Sequence, residues 1–267
     1  MELSTDINKV KSGSTFYYAI RVLPFNIQNP IKLLYSLYHQ ISSVKKQTSD
    51  IGIARTKLFW WKEEISRSYI KQARHPLTKE ITKIITKYSI SKEDLLTFCN
   101  IEDSFLDKGY IEERKELFNY IENKQYLLNK LFLNIMLNSK QSNKKQDEFI
   151  KSFSYGISLT RFIQNLGLDL RKEHQFLPID NLENLKQEEL SNQMSKYTEQ
   201  TKEYLNQSKE LCTKENLYSK ANIKFYKSQI NICLKLLKEI EIENYQVMHQ
   251  KIALTPINKL IISLFSY

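Results

Sequence analysis

Glycine and proline are scarce in this chain, with five of each among 267 residues. Residues 179–255 form a stretch of 77 residues that contains neither. Sheet proteins need a turn roughly every 8–12 residues, and glycine and proline are the strongest turn formers. The shortage therefore argues against a sheet protein and predicts an all-α fold.

Cysteine is equally sparse. The three cysteines, Cys99, Cys212 and Cys233, cannot all pair, and none has CxxC spacing. This excludes a disulfide framework and a zinc cluster of the usual spacing, and it favours a reducing compartment. Cys99 lies within an apolar stretch, which predicts a buried and inert thiol.

Long apolar runs are also missing. The longest stretch without a formal charge, Leu33–Val44, has 12 residues, whereas a membrane-spanning helix needs about 20. Residues 1–11 are polar, include the acids Glu2 and Asp6, and have no apolar core of a signal peptide. We therefore expect a flexible segment over residues 1–11 and one domain over residues 12–267.

Aromatic and basic residues are abundant. Sixteen tyrosines, 13 phenylalanines and 41% hydrophobic residues can build a large core. Lysine and arginine exceed acids by 40 to 30, a net charge of +10, but the lysines are spread along the chain and form no basic block. This pattern favours peripheral contact with anionic membrane over nucleic-acid binding. We expect a cytoplasmic protein with contact to the inner face of the inner membrane, or a mitochondrial matrix protein if the source is eukaryotic.

Apolar residues recur at spacings of three and four, which predicts helices. Residues 140–147 read as a polar loop, and Gly156 and Gly167 mark a helix that is interrupted or tightly packed. The predicted helices cover residues 31–41, 53–69, 79–88, 91–108, 112–138, 148–170, 193–212, 220–245 and 256–265.

Acidic pairs are the first candidates for a metal site. Asp103 and Asp107 form a DxxxD pair, whose carboxylates share one helix face and can hold a hard cation. The same spacing is common on solvated helix faces, and both interpretations stay open. Glu63 and Glu64 point to adjacent faces and are expected to be surface charges.

Five segments together resemble one family of enzymes. The chain is similar to the squalene/phytoene synthase family from residue 12 to residue 267, with the motifs in the family's order and spacing. The matching segments are SGSTFYYAIRVLP (12–24), ARTKLFWWKEEI (54–65), ARHPLTKEI (73–81), GISLTRFIQNLGLDLRKEHQFLPID (156–180) and IALTPINKLIISLF (252–265).

The resemblance implies a single-domain, isoprenoid-synthase-like helical bundle around a central cavity. Enzymes of this family join two prenyl diphosphates head to head. Their magnesium ions are held by two aspartate-rich motifs, each with carboxylates four residues apart. The metal neutralises the leaving diphosphate.

The chain departs from the family at the four motif positions. Ser42 and Lys46 replace the acids of the first motif, and Asn165 replaces one acid of the second, so that Asp169 alone remains. The family's four negative charges become zero, a change worth several kcal/mol per ion at contact distances. The resemblance also places Tyr120 at a conserved tyrosine, followed by Gln125, Tyr126 and Asn129 where the family has small residues that line the prenyl pocket.

Several residues are candidates to contact a diphosphate if the chain is an active enzyme. Ser12 and Ser14 alternatively cap the first helix, and Arg171 and Lys172 alternatively lie on a solvated face. In an active enzyme Asp169 would be the magnesium ligand. The candidate diphosphate contacts are Ser12, Ser14, Tyr17, Lys46, Arg55, Arg171 and Lys172.

The loss of aspartates resembles a degenerate branch of the family that includes an assembly factor of mitochondrial respiratory complex I. We therefore predict a non-catalytic binding or assembly factor without a cofactor. Its expected partners are a prenyl diphosphate or other lipid in the cavity and subunits of a respiratory complex. The alternative is an active prenyltransferase of terpenoid biosynthesis with a reduced Mg²⁺ site.

Overall fold

The computed structural model describes residues 10–139, 143–214 and 219–266. These ranges contain helices and no β-strand, apart from one parallel bridge between Tyr110 and Gln175. The all-α prediction is confirmed. The helices are α1 Thr15–Ile20, α2 Phe25–Ser42, α3 Ile51–Tyr69, α4 Pro76–Tyr88, α5 Lys92–Leu106, α6 Arg114–Ile121, α7 Leu127–Leu137, α8 Lys144–Leu170, α9 Gln187–Lys214, α10 Lys220–Ile242 and α11 Pro256–Leu264.

The chain forms two compact units, each built from separate stretches of sequence. In the first unit α2 packs on α4, α5 and α7, and α3 packs on α4 and α5. Tyr38 of α2 meets Phe98 of α5 edge to face, with ring centroids 5.6 Å apart. Both rings are buried, and such a pair adds about 0.5–1.5 kcal/mol to the burial itself.

In the second unit the 27-residue helix α8 is the central element. It packs on α6, α9 and α10, and α10 also carries α1 and α11. Gly156 of α8 lies directly against Leu205 of α9, where a Cβ atom would come within 2.5 Å of the Leu205 side chain. The expectation of tight packing at this glycine is confirmed.

Three predicted helix starts were wrong. Helix α9 begins at Gln187, six residues before the predicted start at residue 193. Helix α2 begins at Phe25, five residues before Pro30, because burial of Pro30, Ile31 and Leu34 offsets the backbone hydrogen bond that proline cannot donate. Helix α8 begins at Lys144, inside the predicted polar loop, because Asn143 and Gln146 form a capping box. Residues 140–142 of that loop lie outside the described residues.

Other expectations concern exposure. All three cysteines are buried, which confirms the predicted burial of Cys99. Burial raises the pKa of the Cys99 thiol to about 12. In the described part of the chain, no helix is both long enough and apolar enough to cross a bilayer. Residues 1–9 lie outside the described residues, and the boundary at residue 12 stays a prediction.

The Trp-Trp motif joins α3 to the start of α4 in the first unit. Glu64 was expected on the surface, but its side chain is fully buried (0% exposed). Its carboxylate accepts hydrogen bonds from the backbone N–H groups of Arg74 and His75, from the Thr78 hydroxyl and from the Arg67 guanidinium, all at 3.0 Å. A buried charge is tolerated only when it is satisfied in this way.

Aromatic rings pack around the same joint. The His75 ring contacts Trp60 and Trp61 edge to face, at 5.7 and 5.2 Å between centroids. His75 also caps α4, because its Nδ1 accepts the N–H of Leu77 at 3.2 Å. Burial lowers the pKa of His75, although Glu64 opposes this shift, and the neutral form supplies the acceptor that the cap needs.

This joint predicts a loss of stability for Glu64→Gln. We expect the free energy of unfolding at pH 7 to fall by about 2 kcal/mol or more, since the amide removes the charge that four donors surround. Chemical denaturation measures the change. The matched control is Glu63→Gln, because the Glu63 side chain also pairs with Arg67 but is 45% exposed. This change should cost less than about 1 kcal/mol. Equal costs for the two variants would contradict the assignment.

The same site predicts a pH dependence. Burial opposes ionisation, but the hydrogen bonds from His75, Arg67, Arg74 and Thr78 together lower the pKa of Glu64 below its ordinary 4.5. A lowered pKa in the folded state stabilises the protein above the unfolded pKa, and this contribution is lost as pH falls through the folded value. The difference in the free energy of unfolding between wild type and Glu64→Gln, measured by chemical denaturation, should therefore become smaller below about pH 4.

Candidate functional site

The first motif lies in the first unit, at the end of α2. Ser42 is the last residue of this helix, and Lys46 lies in the following 3₁₀ turn, Lys45–Gln47. Ser43 closes the helix, and its hydroxyl donates to the Gln40 carbonyl at 3.0 Å. Two acids four apart share a face only within a regular helix. The backbone, as well as the side chains, therefore departs from a carboxylate pair here.

The second motif lies in the second unit, in the last turns of α8. Asn165 and Asp169 are four residues apart within the helix and share a face. The Asp169 side chain is largely buried (7% exposed), and its backbone carbonyl accepts the N–H groups of Lys172 and His174. One carboxylate of the four expected in an enzyme is thus present, at the end of this helix.

The segment before α11 is hydrogen-bonded to another face of α8, beside this motif. Gln164 donates to the Ile252 carbonyl at 2.8 Å, and Arg171 donates to the Met248 carbonyl at 3.1 Å. Between them, the N–H of Gly167 donates to the Val247 carbonyl at 3.2 Å. A Cβ atom at Gly167 would lie 2.0 Å from the Met248 carbonyl oxygen. Gly167 is therefore required by a close approach of backbone.

A buried lysine, which the sequence reasoning missed, lies after the conserved tyrosine position. Lys124 belongs to a π-helical turn, Glu122–Tyr126, and is 4% exposed. Its Nζ donates to the Tyr120 hydroxyl at 2.6 Å and lies 4.7 Å from the centre of that ring. The Tyr120 ring contacts Phe162 and Phe176, which stack on each other at 4.7 Å. This part of the second unit thus combines an ammonium group with three aromatic rings.

The three residues predicted to alter the pocket differ in their surroundings. Asn129 is buried in α7, and Gln125 is half-buried in the π turn. Tyr126 donates a hydrogen bond of 2.5 Å to Asp147 in α8. Burial, followed by the contact with Asp147, raises the pKa of Tyr126. A polar residue occupies each of these positions, and their effect on a prenyl pocket stays a prediction.

The candidate diphosphate contacts are divided between the two units. Ser14 caps α1 by accepting the N–H of Tyr17 at 3.1 Å, and the Arg21 guanidinium lies over the Tyr17 ring. Ser12 and Lys172 are exposed. The capping interpretation holds for Ser14, and phosphate binding by these residues stays a prediction.

Arg55 is held in an ion-pair cluster of the first unit. Its guanidinium donates to Asp103 at 3.2 Å and to Asp107 at 2.7 Å, and Lys62 donates to Asp103 at 3.0 Å. Burial opposes ionisation of Asp103, but hydrogen bonds from Lys62 and Arg55 lower its pKa below the ordinary value. The DxxxD pair is therefore matched by two cations, as the solvated-face interpretation expects.

The four motif positions do not fit a magnesium cluster. They offer a hydroxyl, an ammonium, an amide and one carboxylate, whereas Mg²⁺ takes oxygen ligands and is attracted by carboxylate charge. Over residues 10–139, 143–214 and 219–266, no cluster of three or more His, Cys, Asp or Glu side chains is placed to hold a metal ion.

Comparison with known proteins agrees with this fold. The squalene/phytoene synthase family model matches residues 9–258. A dehydrosqualene synthase in complex with ligand superposes with a TM-score of 0.80, at 13% identity over 94% of this chain and 90% of that one. A squalene synthase from Alicyclobacillus acidocaldarius gives 0.73, at 13% identity over 86% and 89%. The predicted fold class, a single-domain all-α bundle of the isoprenoid-synthase type, is confirmed.

Two curated relatives have a different role. Human NADH dehydrogenase (ubiquinone) complex I assembly factor 6 is 26% identical over 121 residues, and the mouse protein is 25% identical over the same length. Each match covers 45% of this chain and 36% of the relative. The chain thus spans about a third of the length of these relatives.

The contact at Gly167 predicts that Gly167→Ala destabilises the second unit. The new Cβ collides with backbone, which cannot rotate away, and we expect a loss of about 1–3 kcal/mol in chemical denaturation. Gly52→Ala is the control, because the nearest atom there is the end of the Asp50 side chain at 3.1 Å. It should change stability by less than about 1 kcal/mol. A Gly167→Ala protein as stable as wild type would contradict the close approach.

Proposed function

This chain belongs to the squalene/phytoene synthase family, and from that premise we propose that it is a non-catalytic member that acts as a binding or assembly factor. The family is of the prenyltransferase type, and the proposal concerns what this member has kept. One observation carries it. Ser42, Lys46 and Asn165 stand where a diphosphate-metal site needs carboxylates.

The electrostatic argument is direct. A magnesium cluster with diphosphate requires fixed negative charge to hold the metal, and three of the four sources are missing. Lys46 adds a positive charge at one position, which repels a cation by several kcal/mol at contact distance. Asp169 alone can share in holding one ion, but it cannot supply two facing pairs.

The likeness to complex I assembly factor 6 supports the kind of role that we propose. The match is partial, so the partner is a proposal. We infer that this protein helps to assemble a respiratory complex, complex I being the first candidate. Its place would be the cytoplasm, in contact with the inner face of the inner membrane, or the mitochondrial matrix in a eukaryote. A prenyl diphosphate or another lipid is the ligand class to test.

The proposal predicts no turnover. Purified protein incubated with farnesyl or geranylgeranyl diphosphate and Mg²⁺ should release no pyrophosphate above the blank, because three of the four carboxylates that would hold the metal at the leaving group are missing. A squalene synthase assayed in parallel is the positive control. Magnesium-dependent release that Asp169→Ala abolishes would overturn the proposal and support the active prenyltransferase.

A second prediction concerns the partner. Deleting the gene in its source organism should lower NADH:ubiquinone oxidoreductase activity in isolated membranes, with succinate oxidation as the internal control. A copy that carries Lys46→Ala and Asn165→Ala should restore the activity, because an assembly role does not use the motif positions. Normal complex I after deletion would contradict an assembly role.

A further inference from the structure

Helix α11 of the second unit presents its apolar side outward. Five large apolar side chains, Ile257, Leu260, Ile261, Leu264 and Phe265, are between 40% and 76% exposed. At 100° per residue they fall within an arc of about 140°. Apolar arcs of this width normally face the core. In α11 the arrangement is reversed, since the buried side chain is Ser263.

Polar contacts fix the helix in this orientation. The Ser263 hydroxyl donates to the Tyr18 carbonyl at 3.3 Å, and Asn231 donates to the Ser266 hydroxyl at 3.0 Å. On the same inward side, Lys259 donates to the Gly13 carbonyl at 2.9 Å. Rolling the helix to bury its apolar arc would break these bonds and leave the Tyr18 and Gly13 carbonyls without their donors, which is costly. The outward apolar arc is therefore a built feature of the surface.

Lysines outnumber acids in the part of the chain that carries the arc. Residues 219–266 contain seven lysines and three glutamates, and those glutamates, Glu239, Glu241 and Glu243, are confined to the end of α10 and the residue after it. Lys235, whose ammonium pairs with Glu239 at 2.6 Å, lines a groove of about 410 Å³ together with Ile261 of the arc. Lys251 lines a neighbouring groove with Glu239, Glu243 and Asn258. Apolar side chains with lysines at their border are the pattern of helices that lie in a membrane interface.

We propose that the outward face of α11 docks on the surface of an anionic lipid bilayer. The five apolar side chains enter the boundary of the acyl chains, and Lys251 contacts acidic headgroups. The observations favour a bilayer over a protein, because one nine-residue helix face offers less than the roughly 800 Å² per partner of a standard protein interface. A bilayer needs no complementary shape. This inference rests only on the membrane contact in the proposed function, not on the lack of catalysis.

Vesicle co-sedimentation tests the proposal with the full chain. The probes are phosphatidylcholine vesicles with and without about 30% phosphatidylglycerol, a fraction that gives a strongly negative surface. We expect binding to the anionic vesicles, weaker binding to pure phosphatidylcholine, and loss of binding in high salt. The variant Ile257→Gln with Leu264→Gln should bind at least about tenfold more weakly, since each side chain loses its transfer from water. Both residues are exposed, so the fold should tolerate the change.

The matched control removes two apolar side chains of similar exposure elsewhere. Ile70→Gln with Ile242→Gln changes residues that are 63% and 64% exposed and lie outside α11. This control should bind anionic vesicles as well as wild type does. Equal losses in both double variants would show general hydrophobic adsorption and would overturn the proposal.

A site-specific probe reports insertion directly. All three native cysteines are buried, so a thiol-reactive environment-sensitive dye can be attached selectively to a Leu264→Cys variant. Its emission should shift to the blue when anionic vesicles are added, whereas a dye on Ile242→Cys should not respond. An equal shift at both positions would place the contact elsewhere and contradict the docking face.

Three further outcomes would overturn the proposal. They are failure of the wild type to bind anionic vesicles, undiminished binding by the α11 variant, and a dimer in light scattering that the α11 variant converts to monomer. The last result would make a second copy of the chain the occupant of the face. None of these assays contains a prenyl diphosphate, so their failure is distinct from failure of the non-catalytic proposal.

Discussion

The compensation of charge is the constraint on which this protein depends. Ionised groups leave water at a cost of several kcal/mol each, and only opposite charges or directed hydrogen bonds offset that cost. Glu64 meets the requirement with four donors, and Asp103 meets it with Lys62 and Arg55. A magnesium-diphosphate site imposes the same requirement in reverse, because fixed carboxylates must balance the metal. At the motif positions this chain no longer supplies them.

The fold is present without those carboxylates. A superposition on synthases at 13% identity shows that the helical frame does not depend on the aspartates. What holds the frame is packing and capping, such as Gly156 against Leu205, Gly167 against Met248 and the Glu64 joint. A protein freed from catalysis can retain such a frame and use its surfaces. Helix α11 exposes its apolar side, and core packing does not require this arrangement.

Much of the architecture could be predicted from the sequence, because helical periodicity and end signals are local. Helices α5 and α11 begin within one residue of their predicted starts, where Ser91 and Thr255 act as N-caps. The burial of two charged residues could also have been predicted from the local sequence. Glu64 is three residues after Trp61, on the inward stripe of α3, and Lys124 is four residues after the buried Tyr120. Helical periodicity places each of them on an inward face. Glu64 was expected on the surface only because it is charged.

The rest lay beyond local patterns. Gly167 contacts Met248, 81 residues away, and no pattern around either residue reports that approach. The apolar periodicity of α11 is the same whether its apolar side faces the core or solvent, so the sequence alone predicts the helix but not its orientation. The start of α2 was mispredicted because proline is rare inside helices. Burial of this segment against distant parts of the chain allows the helix to include a proline.

The central claim is that the motif positions no longer bind a magnesium-diphosphate group. A calorimetric titration with an unreactive farnesyl thiodiphosphate, with and without Mg²⁺, tests it most directly. The account predicts the same affinity, or the same lack of binding, in both conditions. It also predicts that Ser42→Asp, Lys46→Asp and Asn165→Asp together make any binding more dependent on the metal. Tight binding by the wild-type chain that requires Mg²⁺ would contradict the account.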